Sequence, residues 1–268
     1  MTDTTGPATG LLEGKVALVI GASRGIGAAI ARALAEQGAS VGVNYQRNAD
    51  RAKQVLADIE AAGARGVAVA GDAASAEDVA SVVAQVTDAL GDIDILICNA
   101  VGRTESSVER VMKGLTLVID NVDDIQDRVA TQLAASLYPV REVVPGMRRK
   151  GGGSVVFIGA TASRGRPARG VAEISVAKAA QEALARALAN ELGGDRIRVN
   201  VLAPGMVPTD ANAGPYQEKI IAETSKTTPL GRPATAEEVA ATVVALTSDL
   251  LRHVTGAYVG VDGGRSML

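Results

Sequence analysis

The sequence predicts a three-layer α/β domain built on one doubly wound parallel sheet. Short, β-rich apolar runs alternate with helical patterns almost from end to end. The chain of 268 residues suits one sizeable α/β domain and is short for two. A glycine-rich turn joins the first strand to the first helix. Parallel strands need crossover connections, and helices supply them on both faces of such a sheet.

The elements follow in order. VALVI (16–20) reads as a buried strand, and Ile26, Ala29, Ile30, Ala33 and Leu34 then recur at helical spacing. Gly38 closes that helix before the strand SVGVNY (40–45). A helix over about 48–62 leads to GVAVAGD (66–72), and another over about 76–90 leads to DILICNA (94–100). A long helix over about 122–149 precedes SVVFIGA (154–160), and a second over about 170–192 feeds IRVNVLAP (197–204). The last helix, near 235–249, precedes GAYVGVD (256–262). Residues 1–12 read as a flexible tail before the domain at 13–268. Two irregular stretches, about 102–121 and 206–232, follow strand C-termini, where open α/β sheets bind ligands.

Composition narrows the partners. Apolar residues make up 47%, with no Trp and a single Phe, so Ala, Val, Leu and Ile must fill the core. A formal net charge of −3 argues against nucleic acid or an anionic membrane surface as partner. No apolar run approaches the roughly 18 residues of a membrane span. The N-terminus lacks the basic start and apolar stretch of a signal peptide. One cysteine excludes an internal disulfide framework and suits a reducing cytoplasm. That residue, Cys98, ends an apolar run and reads as a small buried hydrophobe.

GASRGIG (21–27) lies directly after the first strand and opens a helix. Gly21 suits the tight turn, Gly25 a close backbone approach to a pyrophosphate, and Gly27 close packing of helix on sheet. With Ser23, Arg24 and Ile26, this loop presents helix N–H groups and a positive dipole end to phosphates. The strand–turn–helix context makes it a dinucleotide site in a Rossmann-type fold. An acid ending the second strand would favour NAD(H), but the chain has Asn44, Tyr45, Gln46 and Arg47. Arg24 and Arg47 offer two guanidinium forks to a 2′-phosphate, which points to NADP(H).

These residues together resemble the short-chain dehydrogenase/reductase family, in its single-domain branch, from about Leu12 onward. The matching motifs are GASRGIG (21–27), GDAA (71–74), CNAVG (98–102), AKAA (177–180), RIRVNVLAPGMVPTD (196–210) and GAYVGVDGG (256–264). The likeness is greatest to 3-oxoacyl and enoyl carrier-protein reductases. It implies that Asp72 and Ala73 flank the adenine, and that Asn99, Ala100 and Val101 lie by the adenosine ribose. It further implies that Lys178 grips the nicotinamide ribose and that Pro204, Gly205, Val207 and Thr209 form the nicotinamide pocket. A homodimer or homotetramer joined through the helices at 122–149 and 170–192 is implied in the same way.

The family's Asn, Ser, Tyr and Lys tetrad is not reproduced. Gln132 falls at the Asn position, Ala160 at the Ser position with Thr161 beside it, and Ile174 at the Tyr position. Val171 occupies the place, seven residues before the lysine, where enoyl reductases often carry their tyrosine. Ile20 and Val101 also depart from the family pattern, and 102–121 is longer than usual. Only Lys178 of the tetrad remains.

A positioned general acid is worth about 10²–10⁴-fold in rate. The sequence therefore points to an NADPH-dependent reductase with a non-standard site, passing hydride to an imine, iminium or other activated small-molecule acceptor in specialised metabolism. Ile174, Val171 and Ala160 are expected to form an apolar floor under that acceptor. A ketone or enoyl reductase with a substitute proton donor is a second reading. Tyr216 is then the first candidate, followed by Glu173, Thr161, Ser163 and Asp210. A non-redox cyclase, isomerase or pseudoenzyme is a third. His253 and Tyr138 read as structural, the latter as core.

Overall fold

The computed structural model describes residues 10–100, 122–165, 172–210 and 213–267. Val101, Val171 and the long stretch after Ala100 lie outside the described residues. Seven strands form one parallel sheet: β1 (Val16–Ile20), β2 (Ser40–Tyr45), β3 (Gly66–Ala70), β4 (Ile95–Cys98), β5 (Gly153–Ile158), β6 (Ile197–Pro204) and β7 (Tyr258–Val261). Their order across the sheet is β3-β2-β1-β4-β5-β6-β7. Chain order reverses between β1 and β4, and the open end of such a crossover is where a dinucleotide binds.

The central strands are buried on both faces, so alternate residues enter two separate cores. Ala17, Val19, Val41, Val43, Ile95 and Ile97 meet Ile30 and Leu34 of α1 (Gly25–Glu36) and Val55 of α2 (Ala49–Ala61). The same core holds Val239 and Val243 of the last helix, Ala236–Thr247. Leu18, Ile20, Leu96, Cys98, Val155 and Phe157 face the other way, toward α3 (Ala76–Leu90), α4 (Val122–Lys150) and α5 (Ala172–Leu192). The single Phe, Phe157, is among the largest fully buried side chains, and small aliphatic residues fill the space around it.

Helix ends follow their local chemistry. Ser75 caps α3 by accepting from Asp78 N at 3.2 Å. Thr235 and Glu238 form a reciprocal capping box at the start of the last helix. α4 runs through Pro139 and Pro145, each of which removes a helical hydrogen bond; burial of Pro139, Val140, Val143 and Met147 holds the helix to the sheet.

Two expectations are corrected. Leu12 is part of the domain, because it is buried in the core and its N–H donates to Gln37 O at 2.9 Å. The stretch 206–232 is not wholly irregular: α6 spans Gln217–Thr227, making the last helix (Ala236–Thr247) α7. Only Thr224 of α6 is fully buried, so the helix carries no apolar stripe for a sequence reading to find. No helix among the described residues is long and apolar enough to cross a membrane.

Candidate active site

The glycine loop sits where β1 ends. Arg24, the residue before α1, is extended and places no side-chain cap on the helix, and no acid occupies the first turn. The opening N–H groups therefore remain available to phosphate oxygens. A Cβ on Gly27 would meet Gly21 O at 2.3 Å, so only glycine lets the helix approach the turn this closely. Gly25 has φ +55° and lies against the Thr209 side chain, with 3.6 Å between it and a Cβ built on the glycine. Gly25, Pro208, Thr209 and Asp210 share the wall of a cavity of about 540 Å³. The loop after β6 is thus folded against the glycine turn. Asp210 strengthens that closure through an ion pair with Arg51 of α2.

Two residues expected to touch the cofactor are committed to this scaffold. Asn44 is buried; its Oδ1 accepts from Gly21 N at 3.2 Å and its Nδ2 donates to Gly71 O at 3.1 Å. Its carbonyl also accepts from Ala22 N at 2.8 Å. The Asn99 amide donates to Gly21 O at 2.9 Å. Both side chains shape the loop from behind. Asp72, by contrast, reaches the rim, where it accepts from Gln46 Nε2 at 2.6 Å. Arg24 and Arg47 are exposed, and neither makes an ion pair among the described residues. Gly205 packs so tightly on the residue after β7 that a Cβ would lie 2.7 Å from Asp262 Cβ, while Val207 is buried in the hydrophobic core. These features fit a dinucleotide: uncapped helix N–H groups, glycine-only clearance, and two exposed cations, Arg24 in the glycine loop and Arg47 after the second strand, without an ion pair among the described residues.

Lys178 lies one turn beyond Ile174 on α5 and is 4% exposed. Its Nζ donates to Ile158 O at 2.6 Å and to Gln181 Oε1 at 3.2 Å. Gln181 Nε2 donates to Ser136 Oγ at 2.9 Å, and Ser136 Oγ donates to Gln132 O at 2.8 Å. Gln132 Nε2 reaches Ala100 O at 3.5 Å, at the margin of a hydrogen bond. A buried polar seam therefore runs from the end of β4, between α4 and α5, to the end of β5. Burial, seconded by the Arg128 charge and partly opposed by Cys98, lowers the lysine pKa to about 7. Burial also pushes the Cys98 thiol well up, which matches its reading as an inert hydrophobe.

The apolar floor expected here is only partly present. Ile174 and Ala160 are partly buried, but Arg128, Gln132, Ser136, Glu173 and Gln181 are buried polar groups around the two helices. Among the described residues, Gln132 Oε1 and both Glu173 carboxylate oxygens lack a hydrogen-bond partner, which is costly for groups withdrawn from water.

A second cluster supports the segment carrying Ala160 and Thr161, and sequence reasoning missed its key member, Tyr258. The phenol donates to Ala160 O at 3.3 Å, while the Arg164 guanidinium lies 4.0 Å from the ring centroid. Ser163 Oγ donates to Ala160 O at 2.9 Å, and Arg164 and Arg186 both grip Glu182 Oε1 at 2.5 Å. Burial raises the Glu182 carboxyl, but the two arginines outweigh it and hold the group below its ordinary range. Burial raises the Tyr258 phenol. Tyr258 stands at the first position of β7, three residues before the matched VDGG, with no sequence signal beyond its residue type.

The other candidates disperse. Tyr216 precedes α6, 42% exposed, outside the Lys178 seam. Ser163 is bound in the Tyr258 cluster and Asp210 is paired with Arg51. His253 is exposed beyond the last helix. Tyr138 is partly exposed under Arg141, 5.3 Å from its ring centroid, and so is not core. Among the described residues no group of His, Cys, Asp and Glu could hold a metal ion.

Comparison with known proteins agrees with this architecture. The family described as Enoyl-(Acyl carrier protein) reductase matches residues 21–266. The chain is 33% identical to 3-oxoacyl-[acyl-carrier-protein] reductase FabG of Staphylococcus aureus, over 94% of this chain and 98% of that protein. It is 35% identical to cyclohexanol dehydrogenase of a Rhodococcus species, over 94% and 96%. A short-chain dehydrogenase of Burkholderia cenocepacia J2315, solved in complex with NADP, superposes with a TM-score of 0.81 at 33% identity, covering 95% of this chain and 98% of that one. The chain belongs to the short-chain dehydrogenase/reductase family and is an NAD(P)-dependent oxidoreductase.

Proposed function

We propose that the protein is an NADPH-dependent reductase that transfers hydride to an imine, iminium or comparably activated acceptor on a small molecule. The observation that carries this reading is Ile174 one turn before a buried Lys178, with Ala160 two residues after β5 where the family's serine is expected. The protein offers neither phenol nor hydroxyl at those two positions, so an acceptor that demands little acid assistance suits it best. An iminium carbon accepts hydride without a proton, because hydride neutralises the charge already on nitrogen.

When bound, the reduced nicotinamide supplies the hydride. Gly21, Ser23, Gly25, Ile26 and Gly27 would hold the pyrophosphate on the α1 N-terminus. Asp72, Ala73 and Ala100 would border the adenosine, and Arg24 and Arg47 would take a 2′-phosphate, with Tyr45 and Gln46 beside them. Pro204, Gly205, Val207 and Thr209 would border the nicotinamide end, where Lys178 orients the ribose. Preference for NADPH rests on two exposed arginines that make no ion pair among the described residues, and on the absence of an acid at the end of β2. The relative solved with NADP is compatible with it. Cytoplasmic residence and a dimer or tetramer through α4 and α5 belong to the same reading.

Fluorescence titration should show tight NADPH binding and much weaker NADH binding. Turnover with NADPH stereospecifically deuterated at C4 should place deuterium on the acceptor carbon of a cyclic imine. Turnover of ordinary ketones at rates equal to imines, or binding of neither nucleotide, would overturn the proposal.

A further inference from the structure

We propose that Lys178 itself is the proton donor of this site, and that Arg128, buried on the facing helix, tunes it for that role. The proposal rests on the reductase reading above and extends it to acceptors, such as neutral imines, that need one proton.

A neutral lysine amine has two N–H groups, and Ile158 O and Gln181 Oε1 accept both. The protonated form carries a third N–H, for which Lys178 has no acceptor among the described residues. One proton is thus held only by the amine, while the other two fix the nitrogen in place. A group arranged in this way can lose a proton without moving.

β5 and β6 bring no titratable side chain toward Nζ, because their cores are Val155, Val156, Phe157, Ile158, Val199 and Val201. Cys98 faces it from β4 and Arg128 from α4. On α5 itself, Glu182 is turned to Arg164 and Arg186. Glu173 is fully buried, five residues before Lys178.

Arg128 is placed by helix register. α4 and α5 run in parallel on one face of the sheet, joined at Ser136 and Gln181. Eight residues earlier on each helix, about two turns, stand Arg128 and Glu173, 5% and 0% exposed. A buried guanidinium at that level disfavours a second cation on Lys178. Burial comes first and Arg128 second in bringing the ammonium down to about pH 7, where it can donate and be refilled. The family's scheme is a cation that eases proton loss from a neighbouring acid. Here the same scheme recurs one step deeper, with Arg128 as the cation and Lys178 as the acid.

The step balances. The C=N carbon gains the hydride supplied by the reduced nicotinamide, which is left oxidised. The C=N π pair takes the Nζ proton, giving an amine. Lys178 becomes neutral and regains its proton from water.

The test joins a titration to kinetics. In protein labelled with 13C at lysine Cε, Lys178 should titrate near pH 7 without substrate or cofactor, its signal identified by its loss in Lys178→Met. For a neutral cyclic imine, kcat/KM should fall above the same pH. Arg128→Gln should move both the titration and the basic limb upward by about one pH unit, and Arg128→Lys should restore both. If Arg128→Gln folds poorly, the match between titration and basic limb in Gln181→Glu, where an added carboxylate raises the lysine pKa, decides the matter. A basic limb that stays put while the Lys178 titration moves would overturn the proposal. So would Lys178→Met retaining more than a tenth of wild-type kcat with bound NADPH. Loss of deuterium transfer in the wild type would instead sink the reductase reading, whatever the titration shows.

Discussion

Gln181 bridges Lys178 and the neighbouring helix: its Oε1 accepts from the lysine at 3.2 Å and its Nε2 donates to Ser136 at 2.9 Å. The amine is therefore held by a side chain that is itself fixed between two helices. Replacing Gln181 by Leu keeps the volume but removes one of two acceptors. We expect a stability loss of about 1–2 kcal/mol, as for a buried hydrogen-bond partner. kcat should fall about tenfold with little change in NADPH affinity, measured by steady-state kinetics and nucleotide titration. An equal loss in KM and nucleotide binding would indicate general disruption of α5.

Lys178 also makes stability depend on pH. Its folded-state pKa is lowered to about 7, whereas an unfolded lysine stays near its ordinary value of 10.5. Between these values the unfolded chain binds the extra proton, so this group lets stability rise with pH; below about pH 7 its full penalty is present. The stability difference between Lys178→Met and wild type should shift by on the order of 3 kcal/mol, in favour of wild type, from pH 6 to pH 9. Urea denaturation of both proteins at four pH values measures it.

The arginines and Asn44 should separate in nucleotide binding. Arg24→Ala and Arg47→Ala should each weaken NADPH by about tenfold, or roughly 1.4 kcal/mol, and leave NADH unchanged. Asn44→Ala should weaken both nucleotides alike, because Asn44 supports the glycine loop through Gly21 and Gly71 and does not read the phosphate. Added salt should erode the arginine effect and spare the Asn44 effect.

Thr235 and Glu238 close the start of α7 reciprocally, and Arg232 and the Thr235 N–H together hold the Glu238 carboxyl down at about pH 2. Thr235→Ala should lower stability by about 1 kcal/mol, seen as a fall in Tm, while Thr235→Ser stays near wild type. Nucleotide affinity should remain unchanged in both.

Local pattern was enough to reveal the sheet and the nucleotide end. Each strand is a short apolar run, and a strand between two helical layers needs only that. The glycine loop is equally local, since Gly25 answers to its own positive φ and Gly27 to the Gly21 carbonyl within the same turn. α6 escaped because Thr224 is its only fully buried residue.

The chemistry at Lys178 is of another kind. Sequence alone determined that Ile174 and Ala160 stand where the family carries its phenol and hydroxyl, and that Lys178 is retained. It suggested an apolar floor, because apolar residues at those positions are visible one at a time. Only the tertiary structure showed that Gln132, Ser136 and Gln181 meet Lys178 across two packed helices, and that Tyr258 comes from the last strand to fix Ala160. The physical reason is range: helix and strand propensity act over a few residues, whereas a buried proton's environment is assembled from groups separated by tens of positions along the chain.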